Sequence, residues 1–311
     1  MAGQSLQQEW TVGEPYLNLH CKLGEGPYYE EASNSLRFVD IISKRVHTVS
    51  LTEGPESVKT IQLDTPVTVT ADVEGHDPQE KILIGAKYGL ALLDRTTGTY
   101  DYVVKFAAVD GQENDRLRSN DGAVDLHGRF WLGCMTDFGM GDVLAEGGIY
   151  LFNGQNKAGN AEKIVSDLSI PNTISFSPDN KTLYYTHSSG RIVYAYDYSL
   201  SDGSVTNHRV FYKHEGPGEP DGHRIDKDGN MWHSVYGESR VLKISPEGKL
   251  VGQINLPTKN ITCCEFVGTE LFITTANDDG GEGKSKELGG ALFRIDVGTT
   301  GLKPFQFKMV G

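Results

Sequence analysis

Six stretches of this chain repeat one pattern, a run of large apolar residues entered through a tight turn, and that repetition restricts the fold more than any single motif. The runs begin at Leu36-Arg37-Phe38-Val39, Ile82-Leu83-Ile84-Gly85, Phe130-Trp131-Leu132-Gly133, Leu183-Tyr184-Tyr185-Thr186, Met231-Trp232-His233-Ser234 and Leu271-Phe272-Ile273-Thr274. Successive starts lie 40 to 53 residues apart. The turns are plainest at Asp125-Leu126-His127-Gly128-Arg129, Ser177-Pro178-Asp179-Asn180-Lys181 and Asp226-Lys227-Asp228-Gly229-Asn230. Each places Gly or Asn where a hairpin turn needs a positive φ. A short strand precedes each turn, as at Gly122 to Asp125 or Thr173 to Ser177. A further strand follows, as at Arg191 to Asp197.

Sheets of about four strands, repeated at about 40 to 50 residues, predict an all-β chain folded as a six-bladed β-propeller. A β-sandwich would explain the alternation but not six phased units, and a parallel β/α barrel needs long amphipathic helices that the pattern lacks. Ala291 to Asp296 is expected to lie beside amino-terminal strands and close the ring. The 311 residues read as a single domain, 1–311 with a core from about 16 to 305, because no linker or composition shift divides them. A content of 37 glycines suits short strands joined by tight turns.

The net charge of -13, with both signs scattered throughout, argues against a nucleic-acid partner, which needs clustered Lys and Arg. No apolar stretch is long enough for a membrane span, and the first eight residues lack the basic start and apolar run of a secretory signal. Cys21, Cys134, Cys263 and Cys264 show no Cys-x-x-Cys spacing, so buried, reduced thiols and a cytoplasmic location are expected. The sequons at Asn180 and Asn260 then carry no meaning. Gly283-Lys284-Ser285 resembles the end of a phosphate-binding loop, but Asp278 stands where the earlier glycine is needed and no helical periodicity follows.

Counting back 10 or 11 residues from the first, third, fourth and fifth apolar runs lands on Glu25, Asn120, Asn172 and Asp221. In a propeller the innermost strands all run the same way along the channel, so residues at equivalent strand starts face one mouth. Any one of the four would be explained by a turn or a strand cap. Four in phase point to one site. Carboxylates and amide carbonyls are hard donors that suit Ca²⁺, Mg²⁺ or Mn²⁺ and can hold Zn²⁺. With so few protein ligands the ion keeps open positions, as a catalytic ion must. In the second and sixth blades the phase falls on Thr70 to Asp72 and Asn260 to Thr262, which are not assigned as ligands.

At these residues the chain resembles the regucalcin, senescence marker protein and gluconolactonase family. The matching pieces are Leu23-Gly24-Glu25-Gly26-Pro27, Arg118-Ser119-Asn120-Asp121-Gly122, Pro171-Asn172, Pro220-Asp221-Gly222 and Gly289-Gly290-Ala291-Leu292-Phe293. The resemblance implies a six-bladed propeller that binds one divalent cation, Ca²⁺ or Zn²⁺ foremost, and hydrolyses sugar-derived (aldono- or urono-) lactones. It implies Glu25, Asn172 and Asp221 as metal ligands, Asp221 also as the acid/base residue, and Arg118 and Asn120 as substrate-binding residues. The pattern departs at Asn172-Thr173, where the family has Asn-Gly, and at Gly133-Cys134-Met135, where it has Gly-Thr-Met. Phe138 stands in place of an acidic substrate contact of the family, with Asp137 adjacent, and His187 and His233 stand where family members often carry Asp and Val. The expected partner is a small-molecule lactone, met by a monomer. Rival readings are a metal-dependent esterase or organophosphate hydrolase, a non-catalytic calcium-binding regulatory protein, and a propeller scaffold for protein partners.

Overall fold

The computed structural model describes residues 8–153 and 161–309. Its six innermost strands are Gly24–Glu30, Val67–Ala71, Leu117–Val124, Pro171–Phe176, Glu219–Ile225 and Ile261–Val267. They touch one another in chain order around a common axis, and the last touches the first. The first four lead sheets of four antiparallel strands laid outward in sequence order. This is the six-bladed propeller that the repeat predicts.

In the sixth blade, Ile261–Val267, Glu270–Thr275 and Ala291–Asp296 are completed by Leu17–Asn18, with Leu17 opposite Leu292 and Asn18 opposite Ala291. Closure by an amino-terminal strand is therefore as expected. One further strand is not: Gln8–Thr11 runs parallel to Leu250–Asn255 and widens the fifth blade to five strands. Two short helices, Ala107–Asp110 and Gly283–Leu288, interrupt the strands, the second directly at the segment where no helical periodicity is visible.

The turn chemistry follows the sequence closely. Gly128, Asn180 and Gly229 all adopt positive φ, at 79°, 54° and 85°. Two of these turns share one device. Asp125 accepts the backbone N–H of His127 and Arg129 and the indole N–H of Trp131; Asp226 likewise accepts from Asp228, Asn230 and Trp232. The carboxylate thus fixes the turn and orients the Trp that fills the gap to the next blade. Because Asp226 is fully buried, Asp226→Ala strands several donors, and its expected cost is about 2–3 kcal/mol in urea unfolding; a loss near zero would refute this role.

Packing repeats with the blades. Six apolar clusters form, each between two neighbouring sheets, such as Trp131, Ile149, Ile174 and Tyr185 between the third and fourth. All four cysteines are buried and free. Between the first and second blades an ionic network joins the sheets as well: Arg37 reaches Glu30 at 2.8 Å, Asp72 at 2.7 Å and Thr70 at 2.7 Å, and its guanidinium lies 3.8 Å from the centre of the Tyr28 ring.

Every inner strand also shifts register at one phase: between Glu25 and Tyr28, Val67 and Thr70, Ser119 and Gly122, Pro171 and Ile174, Pro220 and His223, and Ile261 and Cys264. A bulge bends the strand and re-aims its side chains. Six of them at one level make a ring of re-aimed residues near the strand starts. Beyond the strand ends, the carboxyl-terminal segment crosses the axis. Lys227 donates to the carbonyl of Thr300 and Leu302 to that of Ile225 on the fifth blade, while Phe307 donates to Asp72 on the second and Lys308 to Gly128 on the third. Between these anchors Leu302, Lys303, Pro304 and Phe305 roof an axial chamber of about 280 Å³ lined by all six inner strands.

Candidate functional site

The bulges place the phased residues. Asn120 and Asp121, Asn172 and Thr173, and Asp221 and Gly222 are the bulged pairs of the third to fifth blades, and Glu25 begins the bulge of the first. In the second blade the bulge holds Thr68, not Thr70 to Asp72, because nine residues, 72–80, separate its first two strands. In the sixth it holds Thr262. Those hydroxyls bond to neighbouring blades, Thr68 with Ser119 at 2.8 Å and Thr262 with the carbonyl of Gly24 at 2.5 Å. They are joints of the ring.

Glu25, Arg118, Asn120, Asn172 and Asp221 are all 9 % exposed or less and converge on one mouth. Asn172 donates to Asp221 at 2.5 Å and to Ser188 at 3.2 Å, while its Oδ1 accepts the N–H of Thr173. Arg118 donates to Asn120 Oδ1 at 2.9 Å, and Asn120 Nδ2 donates to the carbonyl of Pro171 at 2.9 Å, which ties the third blade to the fourth. Glu25 Oε2 accepts the N–H of Gly26.

A layer just below was not singled out in the sequence. Thr173 donates to Asp121 and accepts the N–H of His223, so one hydroxyl links three blades. Its place after Asn172, where the family pattern has Gly, was the available signal. Arg224 pairs with Glu265 at 2.9 Å and donates to the carbonyls of His223 and Pro27. His223 bonds Ser175 at 2.6 Å and stacks near His233, ring centres 4.9 Å apart. Burial pushes His233 down to about 3, so it is a neutral, buried residue of the fifth blade's second strand. His187, paired across from Pro171, stands at the rim and bonds Ser189.

The electrostatics reveal what this site wants. Burial raises Glu25 and Asp221 well above the ordinary carboxylate range, and each is raised further by neighbouring carboxylates: Asp221 and Asp121 act on Glu25, and Asp121 on Asp221. Asp121 itself is raised by burial. Burial also lowers Arg118 to about 10, opposed by Asp137, Glu25 and Asp221. Several buried anions gathered without enough compensation are what a cation site looks like from its protein side. Among the described residues no three His, Cys, Asp or Glu side chains form a metal cluster. The convergent donors here are two carboxylates and an amide, and that set fits a hard divalent ion once Asn172 turns its carbonyl oxygen inward.

Known proteins resemble this chain over nearly its whole length. The family model described as SMP-30/gluconolactonase/LRE-like region matches residues 23–277. Bovine regucalcin is 34 % identical over 307 residues, covering 94 % of this chain and 97 % of that one; human regucalcin is 33 % identical over 299 residues, covering 93 % and 95 %. Among solved structures, the calcium-binding regucalcin of Agrobacterium tumefaciens superposes with a TM-score of 0.83 at 25 % identity, covering 98 % of this chain and all of that one. A luciferin-regenerating enzyme superposes with a TM-score of 0.80 at 28 % identity, covering 92 % and 95 %.

Proposed function

The chain belongs to the SMP-30/gluconolactonase/LRE-like family, and from that membership we propose that it is a metal-dependent lactonase, opening a lactone of the sugar-derived kind to its hydroxy acid. The observation that carries the reading is the convergence of Glu25, Asn172 and Asp221 from three blades on one buried, anion-rich mouth.

Glu25, Asn172 and Asp221 would hold the ion. A divalent cation so bound supplies a Lewis acid for the ester carbonyl and its developing negative charge. Asp221 is the carboxylate at the mouth that would take a proton from the attacking water and return it to the ring oxygen as the ester bond breaks. The Asn172 amide nitrogen bonds both Asp221 and Ser188, and these bonds would give way when Asn172 presents its carbonyl oxygen to the ion. Arg118 and Asn120 sit where they can orient the lactone. A calcium-binding role without catalysis is the second reading, favoured by the relative from Agrobacterium tumefaciens being a calcium-binding protein.

Acid release from a panel of lactones, with chelator and with added Ca²⁺, Zn²⁺ or Mn²⁺, separates the two. Lactonase chemistry requires turnover that chelation abolishes, whereas metal binding with no turnover supports the second reading. The metal effect should also depend on pH. Glu25 and Asp221 bind protons more tightly folded than unfolded, so in the metal-free protein their contribution favours the fold at low pH and is lost as pH rises through their elevated pKa values. A cation reverses that loss by replacing the protons. The thermal stabilisation produced by saturating metal is therefore expected to be larger near pH ~8 than near pH ~5. An equal shift at both would contradict the assignment of these carboxylates.

A further inference from the structure

The mouth of the ring is apolar at its rim. Ile42, Phe138, Met140, Val143, Leu144 and Tyr236 are each 37–50 % exposed, and all lie on or beside connections at the strand-start end, since Asp40 pairs with Gly24, Thr136 with Leu117, and Tyr236 with Glu219. Four of the six belong to one loop, 137–146, anchored by Arg116 donating to the carbonyl of Met140 and by Leu144 donating to Thr136. The innermost, Phe138, lays its ring 4.4 Å from the Arg118 guanidinium.

Phe138 also ends a groove of about 510 Å³ that runs outward past Ile41, Ile42, Tyr88, Tyr100 and Tyr102. Polar groups of that groove have partners within it or beside it: Lys87 with Asp137 at 3.0 Å, Lys105 with Glu113 at 2.5 Å, Tyr88 with Asp115 at 2.6 Å, Tyr100 with Asp64 at 2.8 Å and Lys44 with the carbonyl of Asp64 at 2.9 Å. Beside these charged groups the groove offers a guest the aromatic faces of Tyr88, Tyr100 and Tyr102 and the aliphatic Ile41 and Ile42, continuous with Phe138. Inside the mouth Asn120 is engaged with Arg118 and with the carbonyl of Pro171, while Arg118 uses one terminal nitrogen for Asn120 and the carbonyl of Ser119 and leaves its Nε without a hydrogen-bond partner, a donor for the polar ester ring.

Resting on the lactonase reading, we infer that the lactone recognised here carries an alkyl or aryl substituent, which lies against Phe138 and along this groove while the ester ring enters the mouth. Phe138 is then the residue that sets specificity, contributing an apolar face where a polyol would need a polar one.

The test compares two series of lactones of one ring size, polyhydroxylated and alkyl- or aryl-substituted, by kcat/KM with saturating metal, for the parent and for Phe138→Asp and Leu144→Ser. The matching lactams, which occupy a site without opening, are measured in parallel by calorimetry. The parent is expected to favour the substituted series by about tenfold or more, in turnover and in lactam binding, and Phe138→Asp to shrink that ratio by about tenfold. Equal handling of both series by the parent, or a ratio that Phe138→Asp leaves unaltered, overturns the inference; a rim serving a second protein would give that result. If nothing is hydrolysed yet substituted lactams bind preferentially through Phe138, the lactonase reading fails and the recognition stands. If neither turnover nor preference is seen, both fail.

Discussion

Asp221→Asn is expected to lower kcat/KM for lactone opening by about a thousandfold, the scale of losing a general base, while leaving the propeller folded. The same variant should be more heat-stable than the parent when metal is absent. Asp221 is buried close enough to Glu25 and Asp121 for their charges to oppose one another, and Asn removes one of the opposing charges while keeping the volume. It should also lose most of its thermal response to added cation. Activity assays and melting curves with and without metal read all three effects on one sample. Parental turnover by the variant would refute the role of Asp221 in the chemistry. Such a trade, in which a residue that costs stability is kept for function, is common at active sites.

The second large effect lies away from the site. Arg37→Met should destabilise the protein by about 3–5 kcal/mol, because it leaves the buried carboxylate of Glu30 and the Asp72 carboxylate short of a partner. Arg95 also bonds Glu30, at 2.5 Å, and holds part of the network, so Asp72 bears more of the loss. The urea midpoint should fall with little change in slope, and turnover below that midpoint should stay near the parental value. An unfolding free energy within about 1 kcal/mol of the parent would show that the network serves register between the blades more than stability.

Much of this was visible in the letters. Turn glycines and asparagines with their following apolar runs specified the blades, because a hairpin demands local chemistry that a sequence displays directly. Glu25, Asn120, Asn172 and Asp221 were legible through phase. The bulges that aim them were not, since a register shift is a relation between two strands and leaves no mark in either. For that reason Thr68 was missed in favour of Thr70 to Asp72, and the layer of Asp121, Thr173, His223 and Arg224 was not singled out, although Asp121 stands next to a residue that was. The strand Gln8–Thr11 and the crossing segment that ends in Phe307 escaped for another reason. Each is held mainly by backbone bonds or one buried ring to a distant part of the chain, with no period of its own.

That crossing segment makes the two faces of the disc unequal. A molecule passing straight through would have to part Leu302 to Phe305 from their anchors after already displacing the linkage of Asp121 with Thr173. The two ends of the axis are therefore unequal routes to Glu25, Asn172 and Asp221.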